Sequence, residues 1–187
     1  MGDKTTIKVW DAGVRLFHWA LVASAAAAYL TPQVNYGVHV QSGYLVLGLV
    51  CFRIFWGFAG GHHARFRNFP LHPAQVAGHL KGLVRGGARR YLGHNPAGSV
   101  MVLCLLAALA IAALSGIALD AAENRAGPLA RTDLYQHEDL VAAVHHIASD
   151  AFIVLLILHL LGVAISSWRQ RENLLLAMFT GHKRRHG

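Results

Sequence analysis

The chain has 187 residues, of which 55% are apolar and only 14% are charged, with a formal net charge of +8 and two cysteines. The apolar residues gather into blocks long enough to cross hydrocarbon, which takes roughly 20 residues at about 1.5 Å each; this excludes a water-soluble globule. The positive charge does not mark a nucleic-acid binder, because the lysines and arginines flank apolar blocks and form no basic face with stacking aromatics.

In chain order, a first span runs from about Val14 to Leu30 and ends at Thr31-Pro32. No cleavable signal peptide is expected, since this block starts late, is long, and lacks a small-residue cleavage pattern followed by a soluble domain. A second span covers about Val38 to Phe58 and stops at Gly60-Gly61. A polar stretch rich in His, Arg and Gly follows, with a short surface helix expected around Pro73 to Val84. The third span covers about Ser99 to Leu119, introduced by Asn95-Pro96-Ala97-Gly98, with proline near the first helical turn where its missing N–H costs nothing. The fourth, about Leu140 to Trp168, is long enough to tilt within the bilayer or project from it. Asn173 to Phe179 reads as an interfacial segment ahead of the basic tail Lys183-Arg184-Arg185. The expected fold is a single all-α membrane domain over residues 1–187, a four-transmembrane-helix bundle. Cys51 and Cys104 each lie inside a span, so no disulfide is expected, and the absence of a CxxCH motif excludes covalent c-type haem attachment.

Orientation follows from the basic residues. Lys4, Lys8 and Arg15 precede or open span one. Arg65, Arg67, Lys81, Arg85, Arg89 and Arg90 lie between spans two and three, and Arg169, Arg171, Lys183, Arg184 and Arg185 follow span four. The two opposite loops carry only Arg125 and Arg131, among acidic residues. The positive-inside rule then places both termini and the long loop in the cytoplasm.

Ionisable groups within spans are costly and usually functional, so the intramembrane histidines need partners. His18 lies near the cytoplasmic start of span one and His159 toward the cytoplasmic end of span four; His39 and His145 open spans two and four on the outer side. The four fall into two levels of two. His145 and His159 are 14 residues apart, close to four whole turns and about 21 Å along one helix face. His146 is rotated well away from that face, which favours His145 as the outer ligand and keeps His146 as its alternative. A six-coordinate haem iron takes two axial nitrogens from opposite sides of a flat macrocycle, and facing helices of a bundle supply them. The expected pairs are His18 with His159 and His39 with His145. A lone histidine at a helix end is ordinarily an interfacial, hydrogen-bonded residue, but that does not account for two depth-matched pairs. Arg53 lies 14 residues after His39, on the same face but at the depth of His18. It is read either as the partner of a haem propionate or as a snorkelling arginine. Arg15, one turn before His18, is read in the same two ways, with a lipid headgroup as its other partner.

These residues also carry a resemblance. Val9-Trp10-Asp11 through Arg15, Leu16, Phe17, His18 and Trp19 looks like the opening of the bacterial and nickel–iron-hydrogenase cytochrome b family, of prokaryotic cytochrome b-561 type. His39 with Gly43-Tyr44 is similar to that family's second ligand region. Tyr91-Leu92-Gly93-His94-Asn95-Pro96-Ala97-Gly98 resembles the start of its third helix. His145, His159-Leu160-Leu161-Gly162-Val163, Arg171-Glu172-Asn173 and the closing Met178-Phe179-Thr180-Gly181-His182-Lys183-Arg184 resemble its fourth helix and end. The resemblance spans nearly the whole chain and implies two b-type haems with bis-histidine ligation, which carries over onto His18, His39, His145 and His159. It implies electron exchange with the quinone pool. The partners expected are quinone, membrane lipid and a periplasmic cytochrome c or a dehydrogenase- or hydrogenase-type redox protein; nucleic acid is not one, and a homo-oligomer is compatible with this reading.

Two other classes compete: a histidine-lined proton or metal-ion pathway, which calls for carboxylates within the spans, and a passive membrane anchor of a redox complex. The histidines of polar segments, His62, His63, His72, His79, His94, His182 and His186, are expected to be solvated. Trp10, Trp19, Trp56 and Trp168 are expected to act as interfacial anchors. Gly43, Gly48, Ser115 and Gly116 suit close approach of helices or of a flat porphyrin.

Overall fold

The structure is a computed structural model that describes residues 6–87 and 89–184, except the side chain of Val84; Lys4, Arg185 and His186 lie outside the described residues. The chain is an all-α membrane protein. Four helices are long and apolar enough to cross a bilayer: α1 (Ala12–Leu30), α2 (Tyr36–Ala59), α4 (Pro96–Asn124) and α5 (Glu138–Gln170). A short α3 (Pro73–Arg85) occupies the polar stretch, and α6 (Leu174–Thr180) follows α5. Two three-residue strands, β1 (Thr6–Lys8) and β2 (His182–Arg184), pair antiparallel with Ile7 opposite Lys183.

Local chemistry sets the helix ends. Asp11 precedes α1 and its carboxylate accepts from the Val14 N–H at 2.9 Å, satisfying one of the orphan donors of the first turn. Asn95 does the same for α4 through the Gly98 N–H at 2.7 Å, and Asn173 for α6 through the Leu176 N–H at 2.8 Å. Gly181 ends α6 in the left-handed region at φ 83°, and its amide returns to the Ala177 carbonyl. A Cβ there would come within 2.7 Å of the Trp10 carbonyl oxygen, so the close approach also demands glycine.

The observed helices run past the hydropathic spans. α4 continues through Asp120, Glu123 and Asn124, because a helix carries its backbone hydrogen bonds beyond the residues that lipid requires to be apolar. Carboxylates thus lie within the long helices, among them Asp120, buried near the end of α4, and Asp150, exposed in α5.

The described residues form two compact units, and the division falls within the long helices. The first comprises residues 1–16, 53–103 and 156–187. Its core is Val9, Trp10, Val14 and Ala64, with Ile7, Trp56, Leu92 and Met178 packed against it. The Asp11 carboxylate also accepts from Trp56 Nε1 at 3.0 Å and from the Gly61 N–H at 3.3 Å. Trp10, expected as a membrane anchor, is instead 8% exposed and belongs to this core; Trp56 is held by Asp11, while Trp168 at 74% exposure does stand outward. The β1–β2 ribbon closes the unit, the Val9 and Trp10 amides donating to the Gly181 carbonyl at 2.8 and 3.1 Å. Arg15 Nη1 donates to the Phe179 carbonyl, so its partner is backbone of the same unit.

Buried Glu172 accepts from Arg90 Nη2 and from the Arg184 amide, each at 3.0 Å. Glu172→Ala would strand the Arg184 amide and leave Arg90 Nη2 only the Arg184 carbonyl; it is expected to cost about 1–3 kcal/mol, read as a lower thermal midpoint in detergent, and an unchanged midpoint would discount the contact. The second unit comprises residues 17–52 and 104–155, with Phe17, Val46, Val50, Leu106, Leu109 and Ala113 among its buried apolar residues.

Candidate functional site

His39 and His145 both belong to the second unit, and their rings face each other with centroids 6.2 Å apart and planes at 87°. His39 rises from the first turn of α2, where its Nδ1 lies 2.7 Å from the Ala28 carbonyl oxygen of α1. His145 Nδ1 lies 2.9 Å from the Ala112 carbonyl oxygen of α4, with Ser115 Oγ 3.3 Å away. A carbonyl can only accept, so each Nδ1 carries the proton and donates, and each Nε2 presents a lone pair. This is the backbone tether common to metal-binding imidazoles, which fixes tautomer and ring direction.

Two metal–nitrogen bonds of roughly 2 Å each, together with the ring radii on either side, account for a 6.2 Å separation between facing imidazoles. Glycines allow the approach. A Cβ on Gly116 would lie 3.0 Å from His145 Cε1, whereas one on Gly43, a turn below His39, would meet nothing within 4 Å. The donor set therefore fits an iron whose four remaining ligands come from a flat macrocycle. His146 is exposed and its ring centroid lies 6.1 Å from that of His145; of the doublet, it is His145 whose ring faces His39.

His18 and His159 are divided between the units, His18 in the second and His159 in the first. Both are half-buried, and the His18 ring meets Trp19 edge-on at 5.1 Å. Arg53, in the first unit, is only 2% exposed. Its Nη2 donates to the Ala64 carbonyl at 3.1 Å and its guanidinium lies 4.7 Å above the Phe66 ring. Its Nη1 is buried and has no hydrogen-bond partner among the described residues. A buried cation whose hydrogen bonding is incomplete is costly, and this one suits a carboxylate brought by a ligand.

Of the polar-segment histidines, His62, His72 and His182 are exposed as expected, while His94 and His79 depart from that expectation. His94 is held between Trp10 and Phe69, with ring centroids at 4.7 and 4.8 Å, and His79 of α3 is 5% exposed with neither ring nitrogen hydrogen-bonded among the described residues. The signal in the sequence was placement: His94 directly precedes the Asn95 cap of α4, where the chain turns into the protein. Burial pushes His94 down to about 3, with Arg53 and Lys183 adding repulsion, and burial lowers His63 and His79 as well. A folded pKa below the unfolded value of about 6.5 means that the unfolded chain binds more protons between about pH 3 and 6.5. Stability therefore rises with pH across that window and is lost on acidification. The thermal midpoint is expected to fall between about pH 7 and 4.5, and His94→Phe, which keeps an aromatic ring between Trp10 and Phe69, to flatten the fall. An equally steep fall in that variant would acquit His94.

Among the described residues, no group of three or more His, Cys, Asp or Glu side chains is placed to hold a metal ion by itself. Comparison with known proteins identifies what such a helical chain resembles. The family model described as prokaryotic cytochrome b561 matches residues 9–181. A probable Ni/Fe-hydrogenase B-type cytochrome subunit of Azotobacter chroococcum mcd 1 is 24% identical over 95% of this chain and 88% of its own length. A protein of the same description from Azotobacter vinelandii is 26% identical over 62% of this chain and 60% of its own. No solved structure matches.

Proposed function

Because the chain belongs to the prokaryotic cytochrome b561 family and is a multi-pass membrane protein of haem b electron transfer, we propose that it holds two b-type haems and passes electrons between quinone and a protein redox partner. The observation that carries this reading is the pair of His39 and His145 rings 6.2 Å apart, each with Nδ1 tied to a backbone carbonyl, which leaves Nε2 free to bind a metal.

In this reading His39 and His145 hold the outer haem, and His18 and His159 hold the inner one. Arg53 supplies the guanidinium for a propionate of the inner haem; Arg15, whose Nη1 is committed to Phe179, contributes charge beside it. The haems supply one-electron carriers. Held by a histidine pair each, the haems would be limited to electron transfer. Burial in lipid and the nearby arginine set the potential, since low dielectric disfavours net charge and a cation favours the reduced form.

The membrane is the bacterial inner membrane, with both termini on the cytoplasmic side, and residues 1–187 act as one domain. The names of the two relatives support a hydrogenase-type partner, and the outer pair is the natural point of exchange with a periplasmic protein, a cytochrome c included. A reduced-minus-oxidised optical spectrum with haem quantification on the purified protein tests the reading. Two haems per chain and reduction by a quinol are expected; one haem per chain, or none, would end it.

A further inference from the structure

Asp120 is the least expected residue in the second unit: a carboxylate, 6% exposed, inside the end of a membrane-crossing helix. It does not stand alone. Tyr36, the first residue of α2, donates its hydroxyl to Asp120 Oδ1 at 2.8 Å. Asn124, one turn on in α4, donates Nδ2 to the same carboxylate oxygen at 3.1 Å and to the Tyr36 hydroxyl at 2.9 Å. Three side chains thus tie the start of α2 to the end of α4. The Tyr36 ring, one turn before His39, lies over the His39 imidazole with centroids 6.1 Å apart and planes at 26°.

We propose that Asp120 is a positioning residue for the outer haem: through the Tyr36 hydroxyl it holds the phenol ring against His39 and so sets the plane of that axial imidazole. The proposal rests on the ligand assignment of His39 and His145 made above. The terminal torsion of a histidine is broad and nearly two-fold, so the side chain does not choose its own ring plane; its neighbours do. The Ala28 carbonyl fixes one edge of the ring. A single hydrogen bond still allows swivelling about its own axis, and the Tyr36 ring removes that freedom from the face. Packing of this kind is directional only if the tyrosine is itself fixed, and the Asp120–Asn124 pair fixes it. The outcome is the near-perpendicular arrangement, 87°, of the His39 and His145 planes.

Perpendicular axial imidazoles give ferric haem a strongly anisotropic low-spin paramagnetic resonance signal, and parallel ones a rhombic signal. The experiment is low-temperature resonance spectroscopy of the oxidised holoprotein, with haem content measured on every sample. Tyr36→Leu and Asp120→Leu are expected to keep both haems while the outer-haem signal moves from anisotropic toward rhombic. Asp120→Asn keeps an acceptor for the Tyr36 hydroxyl, so it is expected to retain the signal while the outer-haem midpoint potential rises, because a negative charge that favoured the ferric form is gone. Tyr36→Phe, which keeps the ring and loses only the hydroxyl, is expected to broaden the signal and serves if the leucine variants do not assemble. An unchanged outer-haem signal in Tyr36→Phe and in whichever leucine variants assemble would overturn the role of Asp120. Full haem content in His39→Ala would instead overturn the ligand assignment, so the two failures are distinguishable.

Discussion

On the proposed two-haem reading, alanine at His145 is expected to remove one haem from the purified protein, and alanine at His39 to remove the same one. Both rings stand in a single pair, 6.2 Å apart, so on that reading either substitution would leave one imidazole to hold the haem in a cleft built for two. The double variant is expected to lose no more than either single variant, because residues that act as one unit are strongly non-additive. His146→Ala is expected to retain both haems, since its exposed ring does not face His39. Haem quantification with a redox titration reads the result directly. Full occupancy in His145→Ala, or loss of a haem in His146→Ala, would reverse the assignment.

Leucine at Arg53 is expected to act with opposite signs on the haem and on the polypeptide. With haem bound, removing a buried cation stabilises the more positive ferric form, so the inner-haem midpoint potential falls. If the arginine favours the ferrous over the ferric form by about 1.4–3 kcal/mol, the fall is on the order of 60–130 mV, at about 59 mV per tenfold change for one electron. In the haem-free protein the same substitution removes a charge whose Nη1 has no partner among the described residues, and replacing an incompletely partnered buried charge by an apolar side chain is expected to be stabilising. A snorkelling arginine would show neither effect. Potentiometry of the holoprotein and thermal unfolding of the haem-free form separate the two readings; a potential within about 10 mV of the parent, well below one tenfold step, would discard the propionate contact.

The spans were legible because lipid imposes one crude demand, an unbroken apolar length, and Val14–Leu30 or Leu140–Trp168 display it at sight. Their ends were less so. Hydropathy stops at Leu119, but the α4 backbone continues to Asn124, and the difference brings Asp120 into play. The β1–β2 ribbon gave no sign at all: two three-residue strands from opposite ends of the chain carry no periodicity. His94 and Trp10 were read as a loop histidine and an interfacial anchor from their immediate neighbours, yet they pack on each other. Local composition describes what surrounds a residue in the chain, not what folds onto it.

From the order of residues alone come the membrane class, the four crossings, the charge asymmetry and a short roster of ionisable side chains in lipid, each because hydrocarbon penalises polarity so heavily that exceptions stand out. Which imidazole rings meet, which nitrogen each ring presents, and that Arg53 sits over Phe66 with one nitrogen unpartnered among the described residues depended on contacts between segments far apart in the chain. Helical spacing limits such contacts to a face; only packing, with carbonyls such as those of Ala28 and Ala112 as fixed acceptors, selects the atom.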